Sequence, residues 1–127
     1  MDAKLRIELP WPDRALSPNG RVHWAAKSRE VAKHREWGWI AAVDSVRKLG
    51  WPKNVEQADV AITFVDPRPL RRDRDNHIGL CKSYFDGFVD AGVIVNDCGF
   101  RVRSCDFEIG PKRGVRFDIT IADKRAA

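Results

Sequence analysis

Hydrophobic and polar positions alternate from Lys4 to Leu9, with Leu5, Ile7 and Leu9 on one side and Lys4, Arg6 and Glu8 on the other. A period of two predicts a half-buried strand. Pro10-Trp11-Pro12 ends it, and Asp13 to Asn19 reads as loop with a turn at Ser17-Pro18-Asn19-Gly20. From Trp24 to Leu49 the chain is free of proline. There Trp39, Val43 and Val46 recur on one helical face, with Ile40 and Leu49 at its margins. Gly50-Trp51-Pro52 supplies a stop. Val60 to Val65, rich in β-branched residues, predicts a second strand, and Asp66-Pro67-Arg68-Pro69 excludes regular structure after it.

A second helix is expected from Asp75 or Asn76, either of which suits an N-cap, to Ala91, closed by Gly92. Ile78, Cys81, Phe85 and Phe88 form its apolar stripe, and Val93 to Val95 is a short apolar step. Val102 to Ile109 and Gly114 to Ala122 predict two strands joined as a hairpin through Gly110-Pro111-Lys112-Arg113. The order β-α-β-α-β-β predicts one α+β domain over residues 1–127, with two main helices packed on a small mixed sheet.

The 127 residues suit a single core. No apolar run approaches the roughly 20 residues of a bilayer span, which argues against a membrane partner. Met1 to Pro10 lacks the apolar block of a signal peptide. Cys81, Cys98 and Cys105 are odd in number and lack metal-ligand spacing, so they read as apolar fillers. These features predict a cytoplasmic, reduced protein. His23, His34 and His77 read as solvent or core-edge residues. Most of the five Trp read as core. Trp11, between two prolines, is expected near the surface, suited to an interface or to stacking on a base.

Charge changes the picture. Lys and Arg outnumber Asp and Glu by 23 to 18, for a net charge of +5. Arg exceeds Lys by 15 to 8, and Arg is the better bidentate phosphate ligand. Asp exceeds Glu by 13 to 5, and six Asp with no Glu fall between Asp66 and Asp97 inclusive. In an extended Arg71-Arg72-Asp73-Arg74-Asp75-Asn76 segment, Asp73 and Asp75 point to the same side. Paired carboxylates repel, and a divalent cation such as Mg²⁺ relieves the repulsion. On a continuous helix Lys82 and Asp86 each lie about 20° from Asp75, so the three share a stripe, and Asp97 follows after a short step. The same residues have plainer roles: Asp75 as a helix cap, Lys82 and Asp86 as a solvated i, i+4 pair, and Arg71, Arg72 and Arg74 as neutralisers of the two Asp.

Three stretches together resemble the RusA family of Holliday-junction endonucleases, found in bacteria and often in prophages. Leu9-Pro10-Trp11-Pro12 with Ser17-Pro18-Asn19-Gly20-Arg21-Val22-His23-Trp24 resembles its amino-terminal pattern. Asp73-Arg74-Asp75-Asn76 resembles its Asp-x-Asp-Asn signature, and Lys82 to Asp97 its Lys-x-x-x-Asp-x-x-x-x-Ala-Gly segment closed by an acidic residue. Two departures stand out. Five residues separate Asn76 from Lys82 where the family's best-known pattern has them close, and Asn96 stands where an acidic residue often precedes the last Asp.

The resemblance implies a homodimeric α+β crossover junction endodeoxyribonuclease. It would nick four-way junction DNA in symmetric pairs, in recombination and repair, with Mg²⁺ or Mn²⁺ in its place. It implies Asp73, Asp75 and Asp97 as metal-binding catalytic carboxylates and Lys82 as the catalytic lysine, with Asn76 and Asp86 in support. Arg68, Arg71, Arg72, Arg74, Asn19, Arg21 and Lys27 are the expected DNA contacts, on phosphate chemistry that would make binding salt-dependent. A junction- or duplex-binding relative without turnover, a Mg²⁺ nuclease of other branched DNA, and a structural dimer whose acid cluster caps a helix remain the competing readings.

Overall fold

A computed structural model of the chain describes residues 3–17, 23–69 and 74–122, the side chains of 74 and 75 excepted. The strand β1 (Lys4–Leu9) has the expected bounds, and its apolar positions are the buried ones. Where a loop was expected, Asp13 caps a one-turn 3₁₀ helix (Arg14–Leu16): its Oδ1 accepts the Ala15 N–H at 2.8 Å, and Ala15 and Leu16 are buried. Helix α1 (Trp24–Leu49) matches the predicted span and ends at Gly50, whose φ of 69° suits a residue without Cβ. The strand β2 (Ala58–Asp66) follows, then α2 (Arg74–Leu80), α3 (Lys82–Asp90), β3 (Phe100–Ile109) and β4 (Gly114–Ile121).

The four strands form one mixed sheet in the order β1-β4-β2-β3. β4 runs antiparallel to both β1 and β2, while β2 and β3 are parallel. The expected β3–β4 hairpin is therefore wrong, because β2 lies between the two strands. Adjacent strands are about 4.8 Å apart, so the Gly110–Arg113 link must cross two spacings over the end of β2. Asp66, the last residue of β2, holds that crossing. Its carbonyl accepts the Gly110 N–H at 3.1 Å, and its carboxylate accepts the Arg68 backbone N–H at 2.8 Å and Arg113 Nε at 2.8 Å.

The Arg68 backbone N–H, with the Arg113 and Arg68 guanidiniums, holds the Asp66 carboxyl below its ordinary range despite burial. A depressed folded pKa stabilises fully above the unfolded pKa, and the benefit is lost as pH falls through the folded value. Asp66→Asn should therefore lower the melting temperature at pH 7, with the deficit shrinking below about pH 4. Melts at pH 7 and pH 3 check this, and a deficit unchanged between them counts against it.

One sheet face carries the core. Leu5, Ile7, Val60, Ile62, Phe64, Phe117 and Ile119 are buried there under Tyr84 and Phe88 of α3. The expected α1 face is corrected. His34, Gly38 and Ala42 are its buried residues and Val46 packs on the core as expected, while Trp39, Ile40 and Leu49 are exposed. The reason is local: α1 meets α3 backbone to backbone. A Cβ on Gly87 would lie 2.2 Å from the Arg35 carbonyl oxygen and one on Gly38 2.8 Å from that of Tyr84, so the contact line follows the small residues. Arg35 clamps Asp90 with two hydrogen bonds, at 2.6 and 2.9 Å, and fixes the antiparallel pairing of the two helices.

The single second helix is also corrected. It breaks at Cys81 (φ −90°, ψ 0°), whose N–H bonds to Ile78 O, and Lys82 begins a new helix. Asp75 and Asn76 lie inside α2 rather than at its cap. The stripe itself survives: Cys81 and Phe88 are fully buried, and Ile78 and Phe85 pack on the core.

His34 and His77 are not edge residues. His34 is 1% exposed, with Nδ1 2.7 Å from Glu30 O and Nε2 accepting the Asp13 N–H at 3.2 Å. His77 is buried against Trp11, Phe64 and Phe107. Trp51 is core, but Trp24 and Trp39 are exposed. Trp11 packs on Phe64 and lies under Arg113, 4.1 Å from the ring centre. Cys81 and Cys105 are buried as expected and Cys98 is exposed. Among the described residues, no helix is long and apolar enough to cross a membrane.

Candidate active site

Lys82 opens α3, and its ammonium stands 3.7 Å from Asp86 Oδ1 and 3.5 Å from Asp97 Oδ2. Asp86 reaches it by the i, i+4 spacing of the helix. Asp97 arrives from a separate segment whose course is tightly fixed. The Trp51 indole N–H donates to Val93 O at 2.9 Å, Val93 and Ile94 are buried, and the Val95 N–H donates to Val55 O at 2.9 Å. Asn96 then caps a 3₁₀ turn (Asp97–Gly99), its Oδ1 accepting the Cys98 N–H at 3.2 Å. A Cβ on Gly99 would lie 2.1 Å from Glu56 O, so only glycine lets this turn close onto the strand entry. The Lys82 side chain is 72% exposed and those of Asp86 and Asp97 27% and 45%, so the cluster faces solvent and is open to a ligand.

Of the sequence-predicted site residues, the structure brings together Lys82, Asp86 and Asp97. Asp73, Arg71, Arg72, Asn19 and Arg21 lie outside the described residues, as do the side chains of Arg74 and Asp75. The helical arithmetic that joined Lys82 and Asp86 to Asp75 assumed one helix and lapses at the Cys81 break. Asn76 faces Ser17, its Oδ1 accepting the Ser17 hydroxyl at 3.4 Å, and the Tyr84 hydroxyl donates to Pro10 O at 2.7 Å. Ser17 thus meets Asn76, and Pro10 meets Tyr84.

Lys27 is not brought to Lys82. Arg35 pairs with Asp90 at the far end of α3, and Lys27 lies about two turns beyond Arg35 in the direction away from Lys82. Arg68 is 73% exposed, but its Nε also lies 3.4 Å from Asp66. Sequence reading missed that Arg113 shares that Asp66; only the unusual Asp-Pro-Arg-Pro turn hinted that an acid there had local work.

Other arginines are committed on the outer sheet face. Arg6 and Arg116 meet Asp118, Arg116 also meets Glu108, and Arg101 and Arg103 meet Asp59. Among the described residues, no group of three or more His, Cys, Asp or Glu is placed to hold a metal ion.

No protein-family model matches the chain. A curated protein of Xylella fastidiosa (strain Temecula1), described as an uncharacterized protein, is 38% identical to it over 89 residues, 67% of this chain. The chain spans about half that relative's length, the aligned part being 56% of it.

Proposed function

We propose that the protein is a Mg²⁺-dependent endodeoxyribonuclease of RusA type, acting as a homodimer on four-way DNA junctions. The observation that carries this reading is the ammonium of Lys82 between Asp86 and Asp97, at 3.7 and 3.5 Å. An exposed cation with carboxylates from its own helix and from a separate segment supplies parts that phosphodiester hydrolysis needs.

Hard divalent cations take carboxylate oxygens, and Mg²⁺ commonly takes one or two with several waters. Asp97 supplies such an oxygen and is partly exposed, so the donor chemistry fits Mg²⁺, and Mn²⁺ in its place. Asp73 and Asp75 would complete the set. When bound, the ion neutralises the phosphate and lowers the pKa of a bound water.

The chain's own residues do the rest. Lys82 donates to a phosphate or leaving oxygen as negative charge grows on it, and Asp86 keeps the ammonium in place. Arg68, Arg71, Arg72 and Arg74 hold the duplex arms by phosphate contacts, which makes binding fall steeply with salt.

The deciding experiment incubates the protein with a labelled synthetic four-way junction or the matching linear duplex, with Mg²⁺ or EDTA, beside Asp73→Asn and Asp97→Asn. Paired symmetric nicks that need Mg²⁺ and both Asp are expected. Binding without product in any metal would leave a junction binder, and equal cutting of linear DNA a general nuclease; either result sinks the proposal.

A further inference from the structure

β3 is an edge strand. Within the described sheet it pairs with β2 alone, and it is ten residues long. A long edge offers unpaired N–H and C=O groups to another strand. The register with β2 tells which way each β3 side chain faces. Phe100, Val102, Cys105, Phe107 and Ile109 lie opposite the buried positions Ala58, Val60, Ile62, Phe64 and Asp66 and so face the helices. Arg101, Ser104, Asp106 and Glu108 lie opposite the alternate positions and face outward. The register shifts between Val60 and Ala61, which pair with Val102 and Ser104, so Arg103 is an extra residue: a β-bulge.

The bulge has a consequence for symmetry. Arg101 and Glu108 are an odd number of residues apart and would face opposite ways on a regular strand. With one residue bulged they share a face. A two-fold axis perpendicular to the sheet, through Cys105, then sets two copies of β3 antiparallel with every pair on a consistent face. Arg101 falls opposite Glu108 of the partner subunit, Val102 opposite Phe107 of the partner subunit, and Phe100 opposite Ile109 of the partner subunit. Each pair occurs twice, as an isologous interface requires.

The charges are complementary and the apolar pairs are ones now poorly covered: Val102 is 36% exposed and Ile109 66%. Arg101 is held only loosely within its own chain, at 3.5 Å from Gln57 Oε1 and 3.8 Å from Asp59 Oδ1.

We infer that a second copy of this chain docks on β3, edge to edge, to make one continuous eight-stranded sheet. The assignment rests on the dimeric reading above and names its interface. The axis keeps both helical layers on one face of the joined sheet. The Asp97–Gly99 turns, which lead into β3, then flank roughly 30 Å of paired strand, ten residues at about 3.3 Å each.

Charge exchange tests it. Sedimentation of the wild-type chain at about 20 µM should give twice the 14.5 kDa monomer mass. R101E sets two carboxylates against each other across the axis and E108R two guanidiniums, and each should yield monomer. The double variant R101E/E108R should restore the dimer. It would not restore the Arg101–Asp59 or Arg116–Glu108 contacts within one chain, so rescue reports the interface alone. Circular dichroism establishes that the single variants are folded. A monomeric wild type, single variants that stay dimeric, or a double variant that stays monomeric each overturn the assignment. Sedimentation reads this without DNA, so a dimer that responds as stated but cuts no junction keeps the interface and discards the nuclease.

Discussion

Alanine in place of Gly87 is expected to destabilise the fold by about 3 kcal/mol, the upper end of overpacking costs. Helix propensity alone gives the opposite sign, since glycine inside a helix costs up to about 1 kcal/mol relative to alanine. The conflict is decided by geometry. The new methyl would stand 2.2 Å from Arg35 O and 2.7 Å from Trp39 N, both backbone atoms that no rotamer change can move. α1 and α3 must separate, which loosens the packing of Tyr84 and Phe88 on the sheet and stretches the Arg35–Asp90 clamp. Urea denaturation measures the loss as a lower midpoint at an unchanged slope. A midpoint equal to or above that of the wild type would show that the helices do not cross as closely as described.

The second large effect concerns Lys82. Replacement by Gln should lower the cleavage rate at saturating Mg²⁺ and junction by roughly 10²–10³-fold, the cost of deleting one preorganised donor to developing charge. Junction affinity should change little, because one phosphate contact among many is lost. The variant also leaves Asp86 and Asp97 without their shared cation. Asp86→Asn leaves the ammonium in place but less firmly held, and should cost less than K82Q. Single-turnover rates for the three proteins separate these roles. Equal losses for K82Q and D86N would mean that the pair acts only as a structural link.

Local signals set how far the sequence could be read. β1 and α1 carry their own boundaries, an alternation stopped by Pro10 and a proline-free run stopped by Gly50, and both spans were legible to the residue. The break at Cys81 has no such mark. The residue is apolar and in phase with Ile78 and Phe85, and the interruption is a hydrogen bond to Ile78 in place of the preceding turn. On α1, bulk does not mark the buried side. Contact with α3 runs along Gly38, and the large side chains Trp39 and Ile40 are turned away.

The order of the strands was illegible for another reason. Nothing in Gly110-Pro111-Lys112-Arg113 says that it crosses β2; that depends on Asp66, more than forty residues earlier. At the candidate site, Lys82, Asp86 and Asp97 could be singled out by residue type and order. What joins Asp97 to Lys82 is the course of Val93 to Gly99 against Val55 and Glu56, a tertiary fact.

The place of β4 also governs when the sheet can exist. β1 pairs only with β4 in the described sheet, Lys4 opposite Thr120, so its partner is made more than a hundred residues after it. At about 5–20 residues per second, a ribosome leaves Leu5, Ile7 and Leu9 without a strand to cover them for roughly 5–20 s. Helices and the parallel β2–β3 pair can form in that interval, but the central seam cannot. Native topology therefore waits on a late, non-local closure, the kind of contact that slows folding and exposes apolar edges to other chains. In the cell, the demand for chaperones would fall on the amino-terminal strand, during synthesis rather than after it.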